Sequence, residues 1–481
     1  MKLKFFLIGS YLLLMSFLFG TFTASSEVWF SFFVSALVVT VIFIYHLFLE
    51  RAYSPFIAAY LVFTVLFFLV APMIQIDSFA TKTPEFATNF IYKPELAVFA
   101  NALVILFNSV FFLMYYNLKR LKWSSSAPRL TAKSREVLPL TIVSLVILTL
   151  FVFVISIPFI LDEYSRPNWQ VSSYSIMHLL IYKKVFFLIP FAGLILCVQY
   201  FRDYKKLSKN TLIILGCLLF FGVLLFWFKN PLTEKRNALG PIYIGLVFLM
   251  LPKLLNTNVK TLSFLFFSMV IAFPVFSILT HTDATFAEIL KDPGVVFEEM
   301  KHTGLVTTFS SLNYDAFSNM MASIEMIRDQ GFAIGYQLLS GLLFFVPRSL
   351  WTGKPYGSGQ VVGDYLIDTY DFNFNNLSNP LVSEGYINFG ILGVILMAIG
   401  LAVAIQILSK WLRGSDLLKR LMAFYFAIHL IFLLRGDFAN GYSYYIGTLV
   451  GVLLIPKTIQ FIIKQLFLHQ QLWKKLQIKK A

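Results

Sequence analysis

Uninterrupted apolar stretches of roughly 20 residues recur from the start of this sequence almost to its end, and a helix of that length crosses a hydrocarbon layer about 30 Å thick. Backbone amides find no water in hydrocarbon, so only α-helices or closed β-barrels can occupy it. The runs here are continuous rather than alternating, which argues against barrel strands. Composition agrees: 58% of the 481 residues are apolar and only 13% are charged, too few to hydrate the surface of a soluble domain. The expected fold class is an all-α polytopic membrane protein.

Hydropathy places spans at residues 5–22, 27–48, 56–75, 94–117, 138–161, 182–201, 211–228, 238–254, 261–279, 385–408, 419–434 and 442–462, about twelve transmembrane helices in all. Residues 1–20 look like a signal peptide, but no small-residue cleavage site with a soluble domain follows, so a retained first span is expected. The chain then divides into nine spans over 1–279, a large external loop over 280–384, three spans over 385–462 and a basic cytoplasmic tail over 463–481. Stretch 331–346 is apolar but only 16 residues long, and a span there would move Lys410, Arg413, Lys419 and Arg420 to the outer side. A re-entrant or interfacial helix is expected instead.

Positively charged loops resist translocation, so Lys and Arg report orientation. Of the 39 basic residues, 25 fall on the side shared with Lys2 and Lys4, among them Lys119, Arg120, Arg202, Lys205, Lys253, Lys410, Arg413 and Lys457. That side is expected to be cytoplasmic, with both termini on it. The net charge of +15 then reflects topology rather than nucleic-acid binding.

Functional residues are expected where the chain departs from bland spans. Pro347-Arg348-Ser349-Leu350-Trp351-Thr352-Gly353-Lys354-Pro355 is the sharpest such stretch: two prolines and a glycine fix a turn, from which Arg348 and Lys354 can reach a shared anion. A membrane-surface anchor, with Trp351 at headgroup level and the cations on lipid phosphates, is the alternative. Glu384 stands at the mouth of the tenth span, ahead of Gly385, Gly390 and Gly393, whose lack of side chains permits close backbone approach. It serves either chemistry or simply the dipole of its helix. Arg236 opens the eighth span and Arg435 closes the eleventh; both are against the positive-inside trend, as functional cations or as side chains snorkelling to headgroups. Guanidinium forks match phosphate and pyrophosphate oxygens. His302 is a second acid/base candidate. Cys197 and Cys217 have no metal-ligand spacing, and no phosphate loop or Gly-x-Gly-x-x-Gly turn occurs, so neither metal nor cofactor is expected.

Phe-Val-Pro-Arg-Ser-Leu-Trp-Thr-Gly-Lys-Pro (345–355) and Ser-Glu-Gly-Tyr-Ile-Asn-Phe-Gly-Ile-Leu-Gly (383–393), with an arginine opening a middle span and a late Arg-Gly-Asp-Phe, resemble the Wzy-type oligosaccharide repeat-unit polymerases of O-antigen and capsule synthesis. The motifs lie within residues 230–440; before that the likeness is one of hydropathy, and Asn237-Ala238 after Arg236 departs from the glycine expected there. The resemblance implies a membrane glycosyltransferase of the C type that needs no metal. It implies polymerisation of undecaprenyl-pyrophosphate-linked repeat units at the outer face of a bacterial plasma membrane. Arg236, Arg348, Lys354 and Arg435 are then the candidates to offset pyrophosphate charge, and Glu384 or His302 to act as base. Implied partners are the lipid-linked oligosaccharide, membrane lipid, a chain-length co-polymerase and a flippase. An O-antigen ligase would share the donor and the outer loop. A flippase or other transporter would share the span number, but no internal repeat and no run of mid-span charges accompanies it here.

Overall fold

The computed structural model describes residues 1–81, 90–120, 134–165, 173–203, 209–231, 234–272, 294 and 308–478, which are mostly helical with no strand among them. Among the described residues ten helices are long and apolar enough to cross a bilayer, as a multi-pass membrane protein requires. They cover ten of the twelve expected spans. At the other two the described residues hold shorter apolar helices, Arg236–Met250 and Asn258–Ala272, and residues 273–279 of the ninth expected span lie outside the described residues. A 15-residue helix reaches only about 22 Å. The first of them carries Pro241 and gives way at Leu251 to a 3-10 turn opened by Pro252, which has no amide proton to continue the ladder.

The chain forms two compact units. One comprises Met1–Trp123, Leu251–Ser409 and Phe426–Tyr442; the other comprises Ser124–Met250, Lys410–Tyr425 and Ser443–Ala481. At the centre of the first unit lies Pro55–Phe79, whose most apolar window is 94% buried in protein, against 17% for Lys2–Thr21. Pro55 starts it with φ preset for a helix. Helix Ser26–Ile44 packs along Pro94–Arg120, where the Asn101 side chain donates to Ser31 Oγ at 2.9 Å. The core of the second unit is made by Ser134–Ser165, Ile189–Asp203 and Lys209–Phe228 packing on one another.

Stretch 331–346 holds only the seven-residue helix Tyr336–Leu342, too short to span. Two helices that hydropathy does not find flank it, Ala316–Gln330 and Ser358–Tyr370. Leu381–Arg413 departs from a straight span as well. Phe389 (φ −143°) and Gly390 (φ +61°) leave helical geometry, and beyond this break the backbone of Gly393 lies against that of Gly385. Eight residues along a straight helix would separate those two by about 12 Å. The chain therefore folds back at Phe389-Gly390, and 381–388 is a short helix laid against the start of the true span. Only glycine takes φ +61° without strain, and only a glycine pair lets the two backbones meet.

Candidate functional site

Helix Tyr336–Leu342 ends with carbonyls that lack helical partners. Lys354 returns to satisfy them: its ammonium donates to the carbonyl oxygens of Leu343 (2.9 Å), Phe344 (3.0 Å) and Val346 (2.9 Å). An ammonium has three protons, so all of them are committed. Burial, and next the neighbouring Arg348 cation, pull its pKa below the ordinary lysine range. Arg348 donates to the carbonyls of Lys354 and Pro355 and stacks 3.9 Å over the Tyr356 ring. Its side chain is exposed, and two of its five donors hold the loop. Trp351 donates from Nε1 to the Tyr336 hydroxyl at 2.9 Å, which donates to the Gly353 carbonyl at 3.0 Å. The turn expected from the prolines is thus stitched by its own cations; Arg348 faces outward and Lys354 inward.

Glu384 sits on the folded-back helix and is 2% exposed. Its Oε1 accepts from the Ser358 hydroxyl and, at 2.8 Å, from the backbone N–H of Phe438. Phe438 is the first residue of helix Phe438–Thr448, so the carboxylate lies at that helix's positive end. Asp437 caps the same helix, accepting from the Ala439 N–H at 2.8 Å, and its other oxygen presses on Gly357, where any side chain would overlap it. Two carboxylates therefore meet at one helix end, close enough to interact electrostatically. Oε2 of Glu384 makes no hydrogen bond among the described residues. Asn388 braces the arrangement, donating to the Glu384 carbonyl and accepting from the Leu338 N–H.

Arg435 ends helix Leu417–Arg435 and donates through Nη2 to the Leu312 carbonyl (3.1 Å) and to Asp315 Oδ1 (3.3 Å). Its Nε is buried without an acceptor among the described residues. Asp315 is 2% exposed and also accepts from Ser378 Oγ at 2.8 Å. Burial pushes the Asp315 carboxyl above the usual range, although Arg435 opposes the shift. In the pH window between the ordinary carboxyl pKa and the raised one, the folded chain holds a proton that the unfolded chain has released. Stability of the wild type relative to Asp315→Asn is therefore expected to fall as pH rises from about 4 through the raised pKa, then level off. Thermal unfolding of both proteins in lipid nanodiscs across that window checks this; a flat difference would mean an unshifted carboxyl.

The first unit thus holds Arg348, Lys354, Glu384 and Arg435. Tyr356, stacked on Arg348, is two residues from Ser358, which bonds Glu384; their Cα atoms are at most about 7 Å apart. Arg435 precedes Phe438 by three residues, a reach of at most about 11 Å. Arg236 belongs to the second unit, half-buried as the first residue of Arg236–Met250. His302 lies outside the described residues. Tyr314 is a core residue, 1% exposed, with its ring against those of Phe67 and Phe309. Sequence reasoning missed Ser358, Asp437 and Asp315. Asp437 and Asp315 directly precede helices, a capping signal visible in sequence; nothing local marks Ser358 as a carboxylate partner. Among the described residues no three His, Cys, Asp or Glu side chains converge. Comparison with known protein families, curated proteins and solved structures finds no match to this chain.

Proposed function

We propose that this chain is a glycosyltransferase that polymerises undecaprenyl-pyrophosphate-linked oligosaccharide repeat units at the outer face of a bacterial plasma membrane. The observation that carries this reading is the presence in one unit of a buried carboxylate with a free oxygen, Glu384, and of two arginines with donors still open, Arg348 and Arg435. It is joined by the motif resemblance and by the charge asymmetry of the sequence, from which both termini are expected in the cytoplasm and the long loop outside.

In the proposed step a sugar hydroxyl of the acceptor unit attacks the anomeric carbon of the donor glycan. The bond from that carbon to the pyrophosphate oxygen breaks, and its electron pair leaves with undecaprenyl pyrophosphate. Glu384 takes the hydroxyl proton on Oε2, while Ser358 and the Phe438 N–H hold Oε1 still. Arg348 and Arg435 offset the negative charge that grows on the leaving group. Lys354 acts indirectly, by shaping the turn that presents Arg348.

Glycan length in a gene-deleted strain tests the proposal. Wild type is expected to restore a ladder of chain lengths. Arg348→Ala, at equal membrane expression, is expected to polymerise roughly 10²-fold more slowly and leave mostly single units. An unchanged ladder on deletion sinks the proposal. Free lipid-linked polymer would identify a ligase instead, and single lipid-linked units trapped inside the cell a flippase.

A further inference from the structure

The second unit has a hollow that the proposed chemistry does not use. It lies where Ser134–Ser165 and Lys209–Phe228 end, and its wall includes the rings of Phe159, Tyr164 and Trp227 and the side chains of Glu163, Lys183 and Glu234. Its interior is about 20 Å³, room for one water or one hydroxyl group, so a larger ligand must lie across the mouth. Trp227, part of this wall, is 44% exposed and stands edge-on to Tyr164 at 5.7 Å.

The charged side chains described around this hollow are already engaged with one another. Lys183 donates to Glu163 and stands 3.8 Å from Glu234, and the buried Lys229 donates to Glu234 at 3.0 Å. Among the described residues these two cations and two carboxylates pair with one another, so a phosphate or an ammonium headgroup must break an existing pair to bind. A neutral polyhydroxylated ring meets no such cost. Its hydroxyls bond to paired ions that remain strong acceptors and donors, and its C–H face covers aromatic surface.

We infer that this hollow binds a neutral pyranose of a glycan, with one hydroxyl in the base beside Glu163 and Lys183 and the ring lying across Trp227. The inference rests on the reading that the chain handles lipid-linked glycans, and the charge topology assigns these helix ends to the outer side. It adds a saccharide subsite built entirely from second-unit residues, none of which is assigned to bond transfer.

Saturation-transfer NMR on the full chain in phosphatidylcholine nanodiscs tests it, with the methyl glycosides of glucose, galactose, mannose, N-acetylglucosamine and glucuronic acid, and glycerol phosphate, as probes. At least one neutral glycoside is expected to bind more tightly than the glucuronoside and glycerol phosphate. Its affinity is expected to fall about tenfold or more in both Trp227→Ala and Glu163→Gln. Because Trp227 is exposed, its variant keeps the fold, which unchanged thermal unfolding verifies. No transfer from any neutral glycoside at about 10 mM, transfer untouched by Trp227→Ala, or tighter binding of either anion overturns the inference. Glycoside binding in a protein whose deletion leaves surface glycan unaltered would sink the polymerase proposal and leave the subsite standing. A collapsed ladder without glycoside binding would do the reverse.

Discussion

Cells in which Glu384→Gln replaces the wild-type chain are expected to carry single repeat units where the wild type makes a ladder, with polymerisation slowed by roughly 10²- to 10⁴-fold. The substitution isolates chemistry from folding. A glutamine oxygen can still accept from Ser358 and from the Phe438 N–H, so the helix end at 438 keeps its partner. The amide nitrogen then occupies the place of Oε2, where it can donate but cannot take a proton. Membrane expression and thermal unfolding are expected to stay near wild type. A full-length ladder from this variant at equal expression would remove Glu384 from the proposed reaction.

Gly393→Val is expected to have the largest effect on folding. A β-carbon there would land on the carbonyl of Gly385, and backbone, unlike the end of a flexible side chain, cannot step aside cheaply. Overpacking of this kind costs about 3 kcal/mol or more, and the fold-back that places Glu384 would open first. Gly400→Ala, on the same helix with no atom near its added methyl, is the control and is expected to leave stability unchanged or raise it by up to about 1 kcal/mol. Thermal unfolding of the two variants in nanodiscs, read against glycan length in cells, decides. Equal stability in both would mean that Gly385 and Gly393 do not touch.

The membrane bundle was legible from the sequence because continuous apolar runs have few physical outlets. Hydropathy located ten helices of spanning length; it missed the fold-back because it averages over residues 385–408 and cannot register a single glycine at positive φ. Ala316–Gln330 went unseen for the opposite reason. Its Ser, Asn and Glu side chains look solvated in sequence but are buried against other protein. The cations show the same divide. Arg348, Lys354 and Arg435 all invite an anion when read along the chain, yet Lys354 turns to carbonyls that only the end of another helix supplies, and Arg435 meets an aspartate 120 residues away. Such partners are set by tertiary geometry, and no local pattern announces them.

The enclosed helix Pro55–Phe79 has a consequence for how the protein is made. Its Gln75 amide donates to the carbonyls of Phe309 and Tyr314 and accepts from Ser318, partners more than 230 residues further along the chain. The ribosome delivers that glutamine long before anything exists to satisfy it. Until residues 308–318 are synthesised, an early segment must wait in the lipid with a bare amide, open on a side that later closes. A nascent chain stopped short of that point would be the species most in need of a membrane chaperone.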